Sequence, residues 1–194
     1  VSGYFSTDAA GTRMGDEGEL ERDHFGLVGE GYVLRGAGSG VRGDRLMADN
    51  DGRLAEGWVV TSDFGQGLQR YWFDSAGRMV KGRLVGASEG DASGYYAYAL
   101  ADGTILRGKL DTGRGRVYLA DNDGRLAGSD GRSGWLVTDA YDGELQRYWI
   151  DGEAHAAVSG FFEVDGSRYF GLVGEGYVLR GATPWESVML IADN

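Results

Sequence analysis

The chain has 194 residues, a formal net charge of −11 and no Cys. So acidic a chain is a poor partner for nucleic acid or for an anionic membrane surface, since both attract clustered Lys and Arg. Its 36 Gly residues would suggest disorder, but 12% of the residues are aromatic, which provides ample surface to bury. We therefore expect many tight turns between short aromatic strands.

Internal repeats organise the sequence. The tripeptide Ala-Asp-Asn occurs at 48–50, 120–122 and 192–194, and the run FGLVGEGYVLRGA at 25–37 returns unchanged at 170–182. Self-similarity at a fixed period is typical of repeat architectures. We expect a single array of about eight hairpin units, belonging to a longer protein of which this chain is a fragment. The array divides into super-repeats of about 72 residues, at roughly 1–56, 57–128 and 129–194.

Each unit reads as two short strands with a turn between or after them. In chain order, the strand signals are the apolar runs 58–60, 71–73, 117–119 and 177–179. The turn signals are the Gly-ending segments 50–52, 76–77, 102–103 and 122–124, which suit two-residue hairpin loops. No segment shows an apolar period of 3.6 over three turns, so essentially no helix is expected.

A lone hairpin is marginally stable in water, so these units must stack to bury their aromatic faces. The predicted fold is therefore all-β, an elongated solenoid of stacked short β-hairpins. Trp, Tyr, Leu and Val side chains would form its spine.

Two segments carry a family resemblance. Residues 57–58 (GW) followed by 71–82 (YWFDSAGRMVKG) resemble the GW…WYYF…G.M..G repeat of choline-binding and other cell-wall-binding modules, and of the related glucan-binding repeats. A second copy keeps 134–135 (GW) and 148–151 (YWID), with a degenerate turn at 152–155. The resemblance implies a choline-binding-type repeat with shallow ligand sites between hairpins.

In that family a cage of aromatic rings holds the quaternary ammonium of choline. Trp58 and Trp135 match the first ring of the cage, but the second ring falls on Arg70 and Arg147. A guanidinium there removes one wall and itself competes for the space between the rings. Choline is therefore a doubtful ligand, and a cell-wall polymer or another glycan is expected instead.

The candidate ligand-binding residues are the aromatic rims of the two strong copies, with one Arg in each copy as a polar contact. For any single ring, packing in the spine is the favoured alternative. Each Arg is more readily explained by stacking on a neighbouring Trp or by pairing with an Asp. The rims are Trp58, Tyr71, Trp72, Trp135, Tyr148 and Trp149, and the polar contacts are Arg70 and Arg147.

The sequence offers little for catalysis, and we expect no enzyme activity and no cofactor. Its two His residues, His24 and His155, do not recur between copies. Residues 49–52 and 121–124 concentrate acids as calcium loops do, but no Glu follows at the required distance. These acids are interpreted as turn residues, and no metal site is predicted.

The favoured function is a binding module that anchors a secreted Gram-positive protein to its cell envelope, with avidity from repetition. Its location would be the cell surface or the cell wall, without membrane insertion. Two alternatives stay open: an adhesin or toxin-type repeat that binds host glycans, and a structural spacer or dimerisation stalk without a small ligand.

Overall fold

The computed structural model describes residues 3–8, 11–13, 24–27, 30, 32–40, 42–86, 94–185 and 188–192. All regular secondary structure in these ranges is β-strand, so they contain no helix that could cross a membrane. The chain packs as two compact units, Val1–Gly86 with Ala99–Ile105, and Ala87–Tyr98 with Leu106–Asn194. The predicted all-β hairpin repeat is confirmed, whereas the division into three super-repeats stays a prediction.

Short antiparallel hairpins fill the first half of the chain. Strand β1 pairs with β2 and β3, β4 pairs with β5, and β6 pairs with β7. The strands are β1 (Gly3–Asp8), β2 (Gly11–Arg13), β3 (His24–Gly26), β4 (Gly36–Ser39), β5 (Arg45–Ala48), β6 (Gly57–Thr61), β7 (Gln69–Phe73) and β8 (Arg83–Gly86).

The second half begins with β9 (Tyr96–Ala99) and contains one larger sheet. That sheet has the strand order β10-β11-β14-β13-β12, and it is followed by the hairpins β15–β16 and β17–β18. The strands are β10 (Gly108–Asp111), β11 (Arg116–Ala120), β12 (Gly134–Thr138), β13 (Gln146–Asp151), β14 (Ala156–Val158), β15 (Gly160–Val164), β16 (Ser167–Gly171), β17 (Gly181–Trp185) and β18 (Val188–Ala192).

Backbone hydrogen bonds join successive hairpins inside each unit. In the first unit the Met79 amide donates to the Arg45 carbonyl at 2.9 Å. In the second unit the Val178 amide donates to the Arg147 carbonyl at 2.7 Å. Each hairpin thus satisfies main-chain groups of its neighbour, as a repeat whose units are marginal alone requires.

Asp side chains close the repeated turns. The Asp49 carboxylate accepts hydrogen bonds from the amides of Asp51 and Arg53, at 2.9 and 2.8 Å. The Gly52 amide donates to the Asp49 carbonyl, and Gly52 has a φ of 86°. The loop therefore spans residues 50–52, one residue more than the two-residue hairpin loop that was predicted. A three-residue loop ends in a left-handed residue, which Gly adopts without steric strain.

The inner faces of the hairpins form the core. Tyr71 and Phe73 are fully buried in the first unit, as are Tyr148 and Val117 in the second. Because side chains alternate across a strand, the residues between Tyr71 and Phe73, and on either side of Tyr148, must face the other way. This alternation fixes which aromatic rings can meet a ligand.

Tyr71 and Tyr148 occupy matched positions, but their hydroxyl groups have different surroundings. The Tyr148 hydroxyl donates to the carboxylate of Asp142. The buried Tyr71 hydroxyl has no hydrogen-bond partner in the described part of the chain. In the aligned copy, Gly65 stands where Asp142 would be.

This difference predicts that the same substitution affects the two copies unequally. Tyr148→Phe should lower the free energy of unfolding by about 1.5 kcal/mol, because it removes a hydrogen bond to a charged acceptor. Tyr71→Phe, the matched control, should change it by less than about 0.5 kcal/mol or raise it, since that hydroxyl is already unpaired. Urea unfolding followed by circular dichroism measures both. Equal losses in the two variants would contradict the assignment.

Candidate functional site

Two cross-strand Trp pairs lie on the outer faces of matched hairpins. In β6–β7, Trp58 is in register with Trp72, and their ring centroids are 4.9 Å apart at an interplanar angle of 84°. In β12–β13, Trp135 is in register with Trp149, with centroids 5.0 Å apart at 70°. Edge-to-face packing of this kind stabilises directly opposed aromatic residues and holds both rings in place.

The outer faces remain open to solvent. All four Trp side chains are partly exposed, and Val60 and Val137, on the same faces, are 56% and 52% exposed. Burying aromatic and aliphatic surface against the core would stabilise the protein more than leaving it exposed. The two faces therefore present apolar surface that a ligand can cover.

Tyr71 and Tyr148 do not line these faces, which corrects their inclusion among the aromatic rims. Both have a relative exposure of 0%. Tyr71 lies opposite Val59 and Tyr148 opposite Leu136, on the inner faces of their hairpins. The strand period of two places them away from the Trp pairs, so they support the site from beneath instead of lining it.

The two Arg residues stack on Trp rings. The Arg70 guanidinium carbon lies 5.7 Å from the centroid of Trp58, and that of Arg147 lies 3.6 Å from the centroid of Trp135. Each Arg is two residues before a Trp of the pair and therefore shares its face. The stacking interpretation is confirmed, while contact of these residues with a ligand stays a prediction.

Two further aromatic residues complete the cluster around Trp135. Tyr169 lies 5.0 Å from the Trp135 ring at 72°, and Phe162 lies 6.3 Å from it. Sequence reasoning did not name either residue. The Asp165-Gly166 pair was the available signal, because a two-residue loop there puts Phe162 directly across from Tyr169.

A polar network fixes the hairpin that carries Trp135 and Trp149. The Lys109 ammonium donates to the carboxylates of Asp142 and Glu175, and Asp142 also accepts from the Tyr148 hydroxyl. Burial acts to raise the pKa of Asp142, but hydrogen bonds from Lys109 and Tyr148 outweigh it and leave the pKa below its usual value. Burial likewise opposes the charge on Lys109, yet its two acidic partners raise the pKa of that ammonium.

Both His residues lie outside the two Trp-bearing hairpins. His155 is 7% exposed, stacks on Tyr96 with centroids 3.8 Å apart, and places Nδ1 2.9 Å from the Gly128 carbonyl oxygen. His24 opens β3. No group of three or more His, Asp or Glu side chains among the described residues is arranged to hold a metal ion.

Solved structures with a similar fold include choline-binding proteins. Choline binding protein F from Streptococcus pneumoniae matches with a TM-score of 0.54 at 18% identity, over 88% of this chain and 53% of its own. CbpJ from Streptococcus pneumoniae TIGR4 matches with a TM-score of 0.58 at 18% identity, over 95% of this chain and 54% of its own. This chain has a choline-binding-type repeat fold.

A further structure of choline binding protein F was determined in the presence of a tetrasaccharide-pentapeptide peptidoglycan analogue. It matches with a TM-score of 0.53 at 17% identity, over 88% of this chain and 53% of its own. The chain thus spans about half the length of these solved structures. No protein-family model and no curated protein sequence matches it. The likeness therefore establishes the fold alone.

The polar network predicts a pH-dependent stability. A lowered carboxyl pKa stabilises the fold above the usual carboxyl pKa of about 4, and this contribution is lost as the pH falls through the folded value. A raised ammonium pKa stabilises the fold below about pH 10, and this is lost as the pH rises through the folded value. Lys109→Met should therefore lower the free energy of unfolding by about 1–2 kcal/mol near neutral pH.

Urea unfolding at about pH 7 and about pH 3 measures the effect. The difference between Lys109→Met and the unsubstituted chain should shrink at the acid end, because the stabilisation from the lowered pKa of Asp142 is lost progressively below the usual carboxyl pKa. Lys81→Met, at the chain's other lysine, is the matched control, because that side chain is exposed. An equal difference at both pH values would contradict the network's role.

Proposed function

We propose that this chain is a non-catalytic module that binds a cell-wall polymer or related glycan and anchors a secreted Gram-positive protein to its envelope. The observation that carries the proposal is the pair of open Trp faces at matched positions, around Trp58–Trp72 and Trp135–Trp149. The choline-binding-type repeat fold supports the same class of function by analogy.

Recognition would use ring faces and a few polar groups. Partly exposed indoles offer flat apolar surface on which a saccharide ring can stack, and the cross-strand partner keeps each indole from turning away. The guanidinium groups offer several N–H donors at the edge of this surface. The proposed contact residues are Trp58, Trp72, Trp135 and Trp149, with Arg70 and Arg147 as polar contacts.

Choline is a poorer candidate than a glycan at the second face. A quaternary ammonium is held by open ring faces, and the Arg147 guanidinium already lies 3.6 Å from the centroid of Trp135. A choline headgroup would have to displace this cation, or bind next to it against like charge. A neutral or anionic saccharide meets neither obstacle.

Two rival functions make different demands on the same faces. A spacer without a ligand would have its Trp rings fully buried in the chain, whereas all four are partly exposed. A dimerisation stalk would pair these rings across a two-fold axis, and a dimer in solution would identify it. A host-glycan adhesin would use the same faces with a different sugar, and binding to host glycans but not to producer walls would identify it. The open faces favour a ligand-binding function over a spacer.

Retention on cell walls tests the proposal. The 194-residue chain should bind purified Gram-positive walls, and Trp135→Ala should weaken that binding about tenfold by removing a ring of the cluster. Soluble glucan should release the bound protein more readily than millimolar choline does. Sedimentation with the walls, followed by gel densitometry, measures the bound fraction.

Val173→Ala is the control, because Val173 is an exposed aliphatic residue, at 51%, that lies outside the two Trp-bearing hairpins. It should retain wall binding within about twofold. Failure of the unsubstituted chain to bind walls would contradict anchoring, and equal binding by Trp135→Ala would contradict the assigned face.

A further inference from the structure

A cavity beside the second Trp cluster concentrates positive charge. It lies among strands β15, β16 and β18 and the segment 178–180, with Arg147 of β13 at its edge. Arg147, Arg168 and Arg180 line it, and no Asp or Glu appears among its described lining residues. In a chain with a net charge of −11, three Arg side chains around one cavity are a local reversal of sign.

Among the residues that the structure describes, these three guanidinium groups have no carboxylate partner. Within the described ranges, no carboxylate oxygen lies within 4.0 Å of any of them. Glu163 stands across from Arg168 in the β15–β16 register but does not form an ion pair with it. Like charges gathered without acids repel one another, so an anion entering the cavity would relieve that repulsion.

The cavity also offers surface for a sugar ring. Phe170, Val178 and Leu179 are almost fully buried and provide apolar lining, while the Ser167 and Tyr169 side chains add hydroxyl groups. Tyr169 touches both the cavity and Trp135, so the cavity continues the aromatic cluster described above. An apolar lining with a few convergent polar groups is the usual composition of a small-molecule site.

Arg147 connects the two parts. Its guanidinium carbon lies 3.6 Å from the centroid of Trp135, which holds the planar group in place while its N–H edges stay available. The chain therefore supplies its own cation to the aromatic cluster. The ligand group that suits this cavity is an anion, because a guanidinium binds carboxylate and phosphate groups through paired N–H donors.

The matching segment near the start of the chain, residues 25–37, lacks this group of three Arg residues. The run FGLVGEGYVLRGA is identical in both copies, so Arg35 corresponds to Arg180. However, the two residues before the run differ: Asp23 stands in the position of Arg168, and His24 in that of Tyr169. The cavity lined by Arg35 also includes Glu30. The positive cavity is therefore a feature of one copy and not a consequence of the shared run.

We propose that this cavity, defined by Arg147, Arg168 and Arg180, binds the anionic groups of a charged saccharide polymer, either phosphate diesters or uronic carboxylates. The proposal rests on the proposed function and names the ligand class of its second site. The neutral part of the polymer lies against Trp135 and Tyr169, and its anionic group meets the guanidinium groups.

Titration with defined polymers tests the inference. The 194-residue chain is titrated calorimetrically with polyglycerol phosphate, with polygalacturonate and with neutral dextran. At least one anionic polymer should bind more tightly than dextran, and raising the salt concentration from about 0.05 M to about 0.5 M should weaken that binding by screening. The anionic polymer that binds more tightly identifies the phosphate or the carboxylate source.

The double variant Arg168→Ala/Arg180→Ala should lose at least about tenfold in affinity for that polymer. Both side chains are exposed, so the fold should persist, as circular dichroism would verify. Arg35→Ala, in the identical run of the first copy, is the matched control and should bind as the unsubstituted chain does. Failure to bind either anionic polymer, or unchanged affinity in the double variant, overturns the inference.

Wall retention separates this inference from the proposed function. If the unsubstituted chain and the double variant are retained equally on walls, the anion site is wrong and anchoring stands. If the unsubstituted chain is not retained, anchoring is wrong, while the polymer titration still decides whether the anion site exists.

Discussion

A two-stranded hairpin has one face to bury, and the rest of this structure depends on how that face is filled. Tyr71 and Tyr148 enter the cores of their units, and the strand period of two then turns Trp72 and Trp149 outward. Because a register slip of one residue would exchange the two faces, burial of the Tyr rings also fixes the position of the Trp rings. The ligand face is therefore a direct consequence of core packing.

The polar groups around the buried Tyr differ between the two Trp-bearing hairpins. Around Tyr148, the network of Asp142, Lys109 and Glu175 ties a strand, a hairpin loop and a turn together. The first copy has Gly65 in place of Asp142, and its Tyr71 hydroxyl remains unpaired in the described structure. Among the described residues, the second hairpin thus has a polar network around its buried Tyr, and its Trp135 contacts Tyr169, which lines the positive cavity.

Much of the fold could be predicted from the sequence, because the repeats and the Gly-ending turns are local signals. The face of each aromatic residue could have been predicted as well: in YW at 71–72 and 148–149, alternation requires one ring in and one ring out. Treating all of these rings as rims ignored that rule. The cavity was beyond sequence reasoning, since Arg147, Arg168 and Arg180 come from separate segments that line one cavity only in the folded chain. Such contacts depend on tertiary packing between hairpins, which local sequence patterns do not predict.

The central claim is that the outer Trp faces are the binding surface. Four of the five Trp residues lie on these faces, so the intrinsic fluorescence of the chain reports on them directly. The decisive measurement is acrylamide quenching of Trp fluorescence, with and without saturating soluble wall polymer. The bound polymer should shield the indoles and reduce quenching. Unchanged quenching by a polymer that demonstrably binds the chain would contradict it.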